Sequence, residues 1–256
     1  MKRIIPFIIL YFIPLFISAQ SIPSLDTSRD SKGQFKTHIS LGGYFDSGNT
    51  EKETFSLKAG VANVDSIKEF SFDTKYLYGK TNHVLNQREF QAGLQFDYLP
   101  LSVFSPFARV EFYNNEFKKI DYRFSGMAGA KYRFYSYRKD NRTLSAYSIS
   151  AAILIDSEHY VKQTALDSKE KVRLSIRPQF KQILTKNIYL QGVLFYKPDV
   201  SHWDDYLITG SLNLIFLINK HLSLSCSYDY DYNSKPATSD VKKTDTHLMF
   251  NLGISF

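Results

Sequence analysis

Residues 222–232 read LSLSCSYDYDY, with an apolar or aromatic side chain at every even position and Ser or Asp at every odd position. Adjacent side chains of a β-strand point to opposite faces, so a two-residue period separates an apolar face from a polar face. An amphipathic helix would need a period near 3.6 residues, which this stretch lacks. The stretch therefore predicts one long amphipathic strand.

The same period recurs along the chain from residue 34. Most of the segments are 10 to 14 residues long, whereas an average globular strand has roughly 5–6 residues. A tilted strand crossing a bilayer needs roughly 9–11 residues, which these segments supply. The predicted strands are 34–46, 53–64, 69–80, 87–98, 104–114, 121–134, 144–156, 169–182, 188–198, 204–218, 222–232 and 244–256.

An even strand number returns both chain ends to one side of a membrane, as in bacterial single-chain barrels. With the N-terminus in the periplasm, the even-numbered connections should be short turns and the odd-numbered ones longer outer loops. Most connections fit, but Tyr135–Thr143 is long for a turn and Asp199–Trp203 is short for a loop. We therefore expect an all-β fold, a transmembrane antiparallel up-and-down β-barrel of about 12 strands. The alternative is a soluble sandwich or a lipocalin-like barrel, in which the polar face meets bulk water.

The N-terminus has the pattern of a secretory signal. Lys2 and Arg3 precede an apolar segment, and small residues around Ala19 follow it. That segment is too short for a comfortable membrane span and typical of an export signal. We expect a signal peptide at 1–19, with cleavage as late as 21, a flexible periplasmic lead-in at 20–33 and an outer-membrane β-barrel at 34–256.

The composition excludes several classes of protein. Aromatic residues make up 16% of the 256-residue chain, which a disordered protein would not contain. Cys226 is the only cysteine, so an intramolecular disulfide framework and a Cys-rich zinc site are excluded. The formal net charge of +7 is spread along the chain and does not indicate nucleic-acid binding.

Aromatic residues of the apolar phase lie near the predicted strand ends, where an interfacial girdle needs them. The chain ends on Phe256, and a terminal aromatic residue resembles the signal by which outer-membrane barrels are handed to their assembly machinery. The expected partners are outer-membrane lipids and that machinery during biogenesis. The aromatic set is Phe45, Phe55, Phe70, Tyr78, Tyr98, Phe104, Phe112, Tyr122, Phe134, Tyr196, Tyr206 and Phe216.

If the apolar phase faces lipid, the other phase lines the lumen. Strands six and eight are basic and strands eleven and twelve acidic, which resembles the transverse field of a small diffusion pore. The alternative is a lumen closed by salt bridges. Apolar residues of strands nine and ten are packing filler or a pocket for a lipid-like ligand. The candidate lumen-lining residues are Asp73, Asp97, Arg109, Arg123, Lys131, Arg133, Arg173, Arg177, Asp229 and Asp231.

Residues that could carry catalysis do not form a recognisable set. No pair of the six histidines has the spacing of a helical metal motif. No histidine falls in the predicted lipid-facing phase, where a lipid hydrolase would need one beside a serine. We therefore expect no enzyme, no metal and no cofactor.

Two prolines interrupt the pattern. Pro106 and Pro178 lie inside predicted strands, and each removes a backbone donor from a sheet that has no free edge. We expect a β-bulge at each position.

Several short motifs resemble an uncharacterised bacterial family labelled salt-induced outer membrane protein. They span about residues 39 to 256, and their order is what carries the resemblance. It implies a transmembrane β-barrel in the bacterial outer membrane and no known reaction. The motifs are Gly48-Asn49-Thr50, Tyr78-Gly79-Lys80, Asp121-Tyr122-Arg123-Phe124 leading to Gly129, Lys131-Tyr132-Arg133-Phe134, Arg173-Leu174-Ser175-Ile176-Arg177 and Tyr196-Lys197-Pro198.

The sequence thus predicts a porin-like barrel that serves as a narrow passive channel or a structural envelope protein. The alternative is a barrel enzyme or lipid-binding protein that acts on envelope lipids.

Overall fold

A computed structural model describes residues 34–46, 52–139, 142–162 and 168–255. The predicted signal peptide, the lead-in up to residue 33 and Phe256 lie outside these ranges. Within them, no helix has the length and apolar character needed to cross a membrane. The elements are β1 (Gln34–Asp46), β2 (Lys52–Val64), β3 (Lys68–Thr81), β4 (Val84–Tyr98), β5 (Phe104–Asn115), a 3₁₀ turn (Glu116–Lys118), β6 (Ile120–Lys139), β7 (Arg142–Tyr160), β8 (Lys169–Thr185), β9 (Ile188–Pro198), β10 (Tyr206–Leu217), β11 (Leu222–Asn233) and β12 (Thr244–Ser255).

The twelve strands form one closed antiparallel barrel. Each strand pairs with its neighbours in sequence, and β1 closes the sheet by pairing with β12. At this seam His38 lies opposite Ser255 and Gly43 lies opposite Phe250. A closed sheet pairs every strand on both sides, which removes the unpaired edges that a bilayer could not satisfy. The predicted up-and-down barrel is confirmed.

The apolar face of each strand points outward and the polar face points inward. Phe35 is 72% exposed and Phe250 is 63% exposed, whereas Asp97 and Asp229 are 1% and 2% exposed. A soluble barrel would bury its apolar side chains around the axis and place its carboxylates in water. The observed arrangement is that of a transmembrane barrel with a lipid-facing exterior and a polar lumen.

Aromatic rings gather on the outer surface near both ends of the barrel. Phe70 and Phe96 have ring centroids 4.8 Å apart at one end, and Tyr196 and Tyr206 are 5.8 Å apart at the other. Such rings suit the headgroup layers on both sides of a membrane.

The connections differ at the two ends. We call the end with the connections after β2, β4, β6, β8 and β10 the turn end, and the opposite end the loop end.

The predicted turn at Tyr135–Thr143 is wrong, because β6 and β7 continue as a paired hairpin to Lys139 and Arg142. Register shifts near Tyr135 and Arg138 interrupt the two-residue period, so the pattern hides the strands there.

The two prolines are accommodated without the expected bulges. Pro106 pairs in register with Ala130, and the Ser105 hydroxyl donates to the Tyr98 carbonyl at 2.8 Å where a backbone N–H would otherwise do so. Pro178 pairs in register with Ile149. The expectation of a bulge at each proline is therefore wrong: the Ser105 hydroxyl replaces the donor at Pro106, and the pairing of β8 with β9 has a gap between Ile176 and Gln179 that spans Pro178.

Candidate channel lumen

Among the described residues, two sizeable cavities lie in the lumen, one near each end of the barrel. The turn-side cavity has a volume of about 140 Å³ and the loop-side cavity about 650 Å³. The charged residues that line the turn-side cavity are Glu69, Asp73, Asp97, Arg109, Lys131, Arg133, Arg177 and Lys181. Those that line the loop-side cavity, with one histidine, are Lys80, Glu89, Lys118, Asp240, Lys242, Asp245 and His247.

Buried ion pairs separate the two cavities. Asp229 lies 3.6 Å from the Lys58 Nζ and 3.9 Å from the Lys75 Nζ, and Lys75 lies 3.0 Å from Glu89. We call Lys58, Lys75, Glu89 and Asp229 the central cluster. Ser211, which lines the turn-side cavity, donates to Asp229 at 3.0 Å, and Glu89 lines the loop-side cavity. A continuous chain of polar contacts therefore runs from one cavity to the other.

Further buried side chains tighten this level of the barrel. Glu89 accepts hydrogen bonds from the Tyr113 hydroxyl at 3.2 Å and from the Asn115 amide at 3.0 Å. Leu77, next after Lys75 on the inner face of β3, has no exposed surface, and Met249 is 1% exposed. Since the side chains between the cavities are buried and bonded, the lumen is closed at the central cluster.

Some of the basic residues of β6 and β8 are neutralised by carboxylates of nearby elements. Lys131 of β6 lies 3.1 Å from Asp97 of β4. Arg173 of β8 lies 3.2 Å from Asp156 of β7 and 3.0 Å from Asp205 in the loop before β10. These pairs compensate the charges of Lys131 and Arg173, so the basic charge of the two strands is cancelled at these positions.

In the loop half of the lumen, buried cations are likewise paired with carboxylates. Arg123 donates from Nε to Glu158 at 2.6 Å. Lys118, in the 3₁₀ turn, pairs with Asp231 and lies 3.2 Å from Asp245. Burial alone would lower the pKa of Lys118, but Asp231, Tyr113, Glu89 and Asp245 together outweigh it and hold the pKa well above its usual value. Lys118 therefore stays charged over the physiological range.

Arg177 is a buried cation that is not paired with a carboxylate in this way. Its Nε donates to the Ser150 hydroxyl at 2.9 Å, and its guanidinium lies 4.9 Å from the Phe107 ring centroid and 5.5 Å from that of Phe195. Among the described residues, no carboxylate lies within 4.0 Å of this guanidinium. The side chain is 7% exposed and lines the turn-side cavity. Arg177 is thus a buried cation that faces a cavity without an ion-pair partner.

The structure places the predicted residues at three levels of the lumen. Asp229 lies in the central cluster, and Arg123, Arg173 and Asp231 are held in ion pairs toward the loop end. Phe256 lies outside the described residues, so its predicted role in assembly stays a prediction. Those on the turn-side cavity are Asp73, Asp97, Arg109, Lys131, Arg133 and Arg177.

Sequence reasoning missed two residues that shape the lumen, Phe107 and Lys118. Phe107 flanks Arg177 together with Phe195, which is among the inward apolar residues predicted to be packing filler or a ligand pocket. Lys118 lies in a connection where the two-residue period says nothing. The one local signal is Asn115, whose side chain accepts from the Lys118 backbone N–H as a helix cap.

The histidines form structural contacts. His38 Nδ1 lies 3.0 Å from the Ser255 hydroxyl at the barrel seam, and His247 lies 3.1 Å from Gln87. His159 stacks on Tyr122 at 4.4 Å on the outer face of β7, so the expectation that no histidine shares the lipid-facing phase is wrong. The expectation fails because the predicted strand ends at residue 156, whereas β7 continues to Tyr160 and includes His159. No group of three or more His, Cys, Asp or Glu residues within the described ranges is arranged to hold a metal ion.

Two solved structures share this fold. The NanC porin has 9% identity and a TM-score of 0.50, with 86% of this chain and 98% of that chain covered. An outer membrane channel from Pseudomonas putida F1 has 10% identity and a TM-score of 0.53, with 92% and 99% covered. At these identities the likeness concerns the fold alone; by name, one is a porin and the other an outer membrane channel.

Sequence comparison gives the family. No curated protein matches the chain. The family model described as "Protein of unknown function, DUF481" matches residues 39–256, which is most of the chain and all but the start of the barrel. The predicted resemblance to an uncharacterised family of barrel proteins is therefore confirmed at that level, and the chain belongs to the DUF481 family.

Proposed function

We propose that this protein is a narrow passive channel in the bacterial outer membrane, closed at the central cluster in the observed state. The support comes from the inside-out barrel, whose exterior is apolar and whose lumen is lined by charged and hydroxyl side chains. A barrel used only as an anchor would gain more from an apolar packed interior, since buried charges cost free energy unless they are paired.

One observation carries the proposal. The cavities at the two ends are joined by the contacts Ser211–Asp229–Lys75–Glu89. Lysine and carboxylate side chains rotate without any change in the backbone, so parting these ion pairs, together with the side chains packed at the same level, would connect the cavities. Ion pairs weaken as water enters, because the interaction falls with rising dielectric.

The location and partners are part of the same proposal. The pattern of residues 1–19 supports export, and the short connections of the turn end are expected to face the periplasm. Outer-membrane lipids would then cover the apolar belt, and the assembly machinery would insert the barrel through its final strand.

A planar-bilayer recording tests the channel. The refolded protein is expected to give small, brief current steps in KCl, because the central cluster must part before ions pass. Heat-modifiable gel mobility confirms beforehand that the sample is a folded barrel. A folded sample that gives no steps at any voltage contradicts the channel.

The second candidate is a structural envelope protein. The buried side chains of the central cluster favour it, since the described side chains at that level leave almost no accessible surface. Loss of envelope integrity on gene deletion, with a folded barrel that never conducts, would identify this role. Nothing in the geometry of the described residues favours an enzyme that acts on lipids.

A further inference from the structure

Arg177 differs from the other buried arginines in what surrounds it. Arg109 is bonded to Asp73 at 2.7 Å and Arg173 to Asp205 at 3.0 Å, with a second carboxylate close to each. Arg177 has one hydrogen bond from Nε, to the neutral Ser150. Among the described residues, its two terminal nitrogens have no hydrogen-bond partner.

An unpaired buried cation costs free energy. Burying a charge is unfavourable unless a counter-charge and hydrogen bonds replace the lost water. The faces of Phe107 and Phe195 offset part of this cost through cation–π contacts at 4.9 and 5.5 Å. These rings act on the face of the guanidinium and leave the edge with its N–H donors available.

The cavity beside Arg177 carries an excess of positive charge. Five cationic side chains line it against three carboxylates. Two of the carboxylates are already engaged, Asp73 by Arg109 at 2.7 Å and Asp97 by Lys131 at 3.1 Å. Arg109 also contacts Glu111 at 3.2 Å, so of the two buried arginines on this cavity Arg177 alone has no carboxylate within 4.0 Å among the described residues. A ligand that completes the contacts of Arg177 would therefore be an anion.

The shape of the cavity limits what can fill it. About 140 Å³ suits an anion of a few heavy atoms. The two terminal nitrogens of a guanidinium form a planar fork that matches the two oxygens of a carboxylate. Leu101, Val193 and Phe195 add apolar surface to the same wall, which suits a short hydrocarbon group.

We propose that the turn-side cavity binds a small carboxylate anion, held by the Arg177 guanidinium and flanked by Phe107 and Phe195. This inference rests on the proposed function, because an anion reaches the cavity through the lumen. Binding there would make the site a selectivity element for short organic acids.

Acetate is the probe that tests the site. ¹³C-labelled acetate is titrated against the refolded protein in detergent, and the saturable broadening of its carboxylate NMR line is measured. Arg177→Gln is expected to raise the half-saturating acetate concentration about tenfold or more, because a charged, two-point hydrogen bond is lost. Arg88→Gln makes the same chemical change on the outer surface and is expected to leave binding unchanged.

Two further measurements distinguish binding at this site from non-specific attraction of acetate to the protein. Formate is expected to displace acetate, whereas neutral acetamide of similar shape is not. Val193→Trp fills the cavity while keeping every charge, and it is expected to abolish saturable broadening even if Arg177→Gln fails to fold. Unsaturable broadening by the wild type, or wild-type binding in a folded Arg177→Gln or Val193→Trp barrel, overturns the proposal.

The outcome for the site is distinct from the outcome for the channel. A barrel that conducts but does not bind acetate overturns this inference and leaves the proposed function. A barrel that binds acetate through Arg177 but never conducts overturns the channel and keeps the binding site.

Discussion

The two cavities of this barrel are built from the same kinds of side chain and differ in how their charges are matched. The loop-side cavity is lined by three lysines and three carboxylates. The turn-side cavity has five cations against three carboxylates, and its Arg177 lacks an ion-pair partner among the described residues. The comparison teaches that, of the two cavities, the one at the turn end carries the excess of positive charge.

The largest expected effect comes from removing the divider between the cavities. Asp229→Ala leaves Lys58 and Lys75 facing each other without the carboxylate that both contact. We expect a loss of about 3–5 kcal/mol in the free energy of unfolding, because one partner of a buried ion pair is removed. Urea unfolding of the refolded barrel measures it. A loss below that of Asp245→Ala, whose side chain is 38% exposed, would contradict the closed cluster.

A charge reversal in each cavity compares the two ends directly. Arg177→Glu is expected to lower the chloride-over-potassium permeability ratio by a factor of about three or more, because it reverses the uncompensated charge. Lys118→Glu makes the same charge change at the loop end, where Asp231 and Asp245 lie beside it. Reversal potentials in a KCl gradient give both ratios. Equal shifts from the two variants would remove the difference between the cavities.

Asp205→Asn makes Arg173 more like Arg177 by removing the charge of one of its partners. Burial alone would raise the pKa of Asp205, but hydrogen bonds from Lys171 and Arg173 outweigh it and lower the pKa below its usual 3.8. The stabilisation is therefore present above about pH 4 and lost as the pH falls through the lowered pKa.

We expect the variant to lose about 1–3 kcal/mol at pH 7, with the difference from wild type disappearing at acidic pH. Urea midpoints measured from pH 7 to pH 2 test this. A difference that stays constant with pH would show that the Asp205 charge does not hold Arg173.

The smallest expected effect lies outside both cavities. Arg88 and Glu116 form an ion pair whose side chains are 48% and 50% exposed. Replacing both with Ala should change the free energy of unfolding by less than about 1 kcal/mol, since exposed pairs are screened by solvent. A loss comparable to that of Asp229→Ala would show that burial in the lumen does not determine how much an ion pair contributes to the free energy of unfolding.

The strand phase predicts much of this fold because every strand of a transmembrane barrel alternates apolar side chains toward lipid with polar side chains toward the lumen. Residues such as Arg109 and Lys131 are placed in the lumen by their phase alone. The phase fails where register shifts break the period, as at Tyr135 and Arg138, and where a connection turns inward, as at Lys118.

The pairing within the lumen could not be predicted in the same way. Whether a cation is compensated depends on which carboxylate stands across the barrel, and that depends on strand tilt and stagger. Lys75 and Asp229 are far apart in sequence and meet only in the closed barrel. The same dependence leaves Arg177 without a carboxylate while Arg173, four residues earlier, contacts two.

Single-channel conductance of the double variant Lys75→Ala/Asp229→Ala tests the central claim most directly. The change keeps the net charge and removes two of the four side chains of the central cluster. We predict current steps several times larger than those of the wild type and of a surface control, Arg88→Ala/Glu116→Ala. A folded double variant with wild-type conductance, or with none, would contradict a lumen closed by the central cluster.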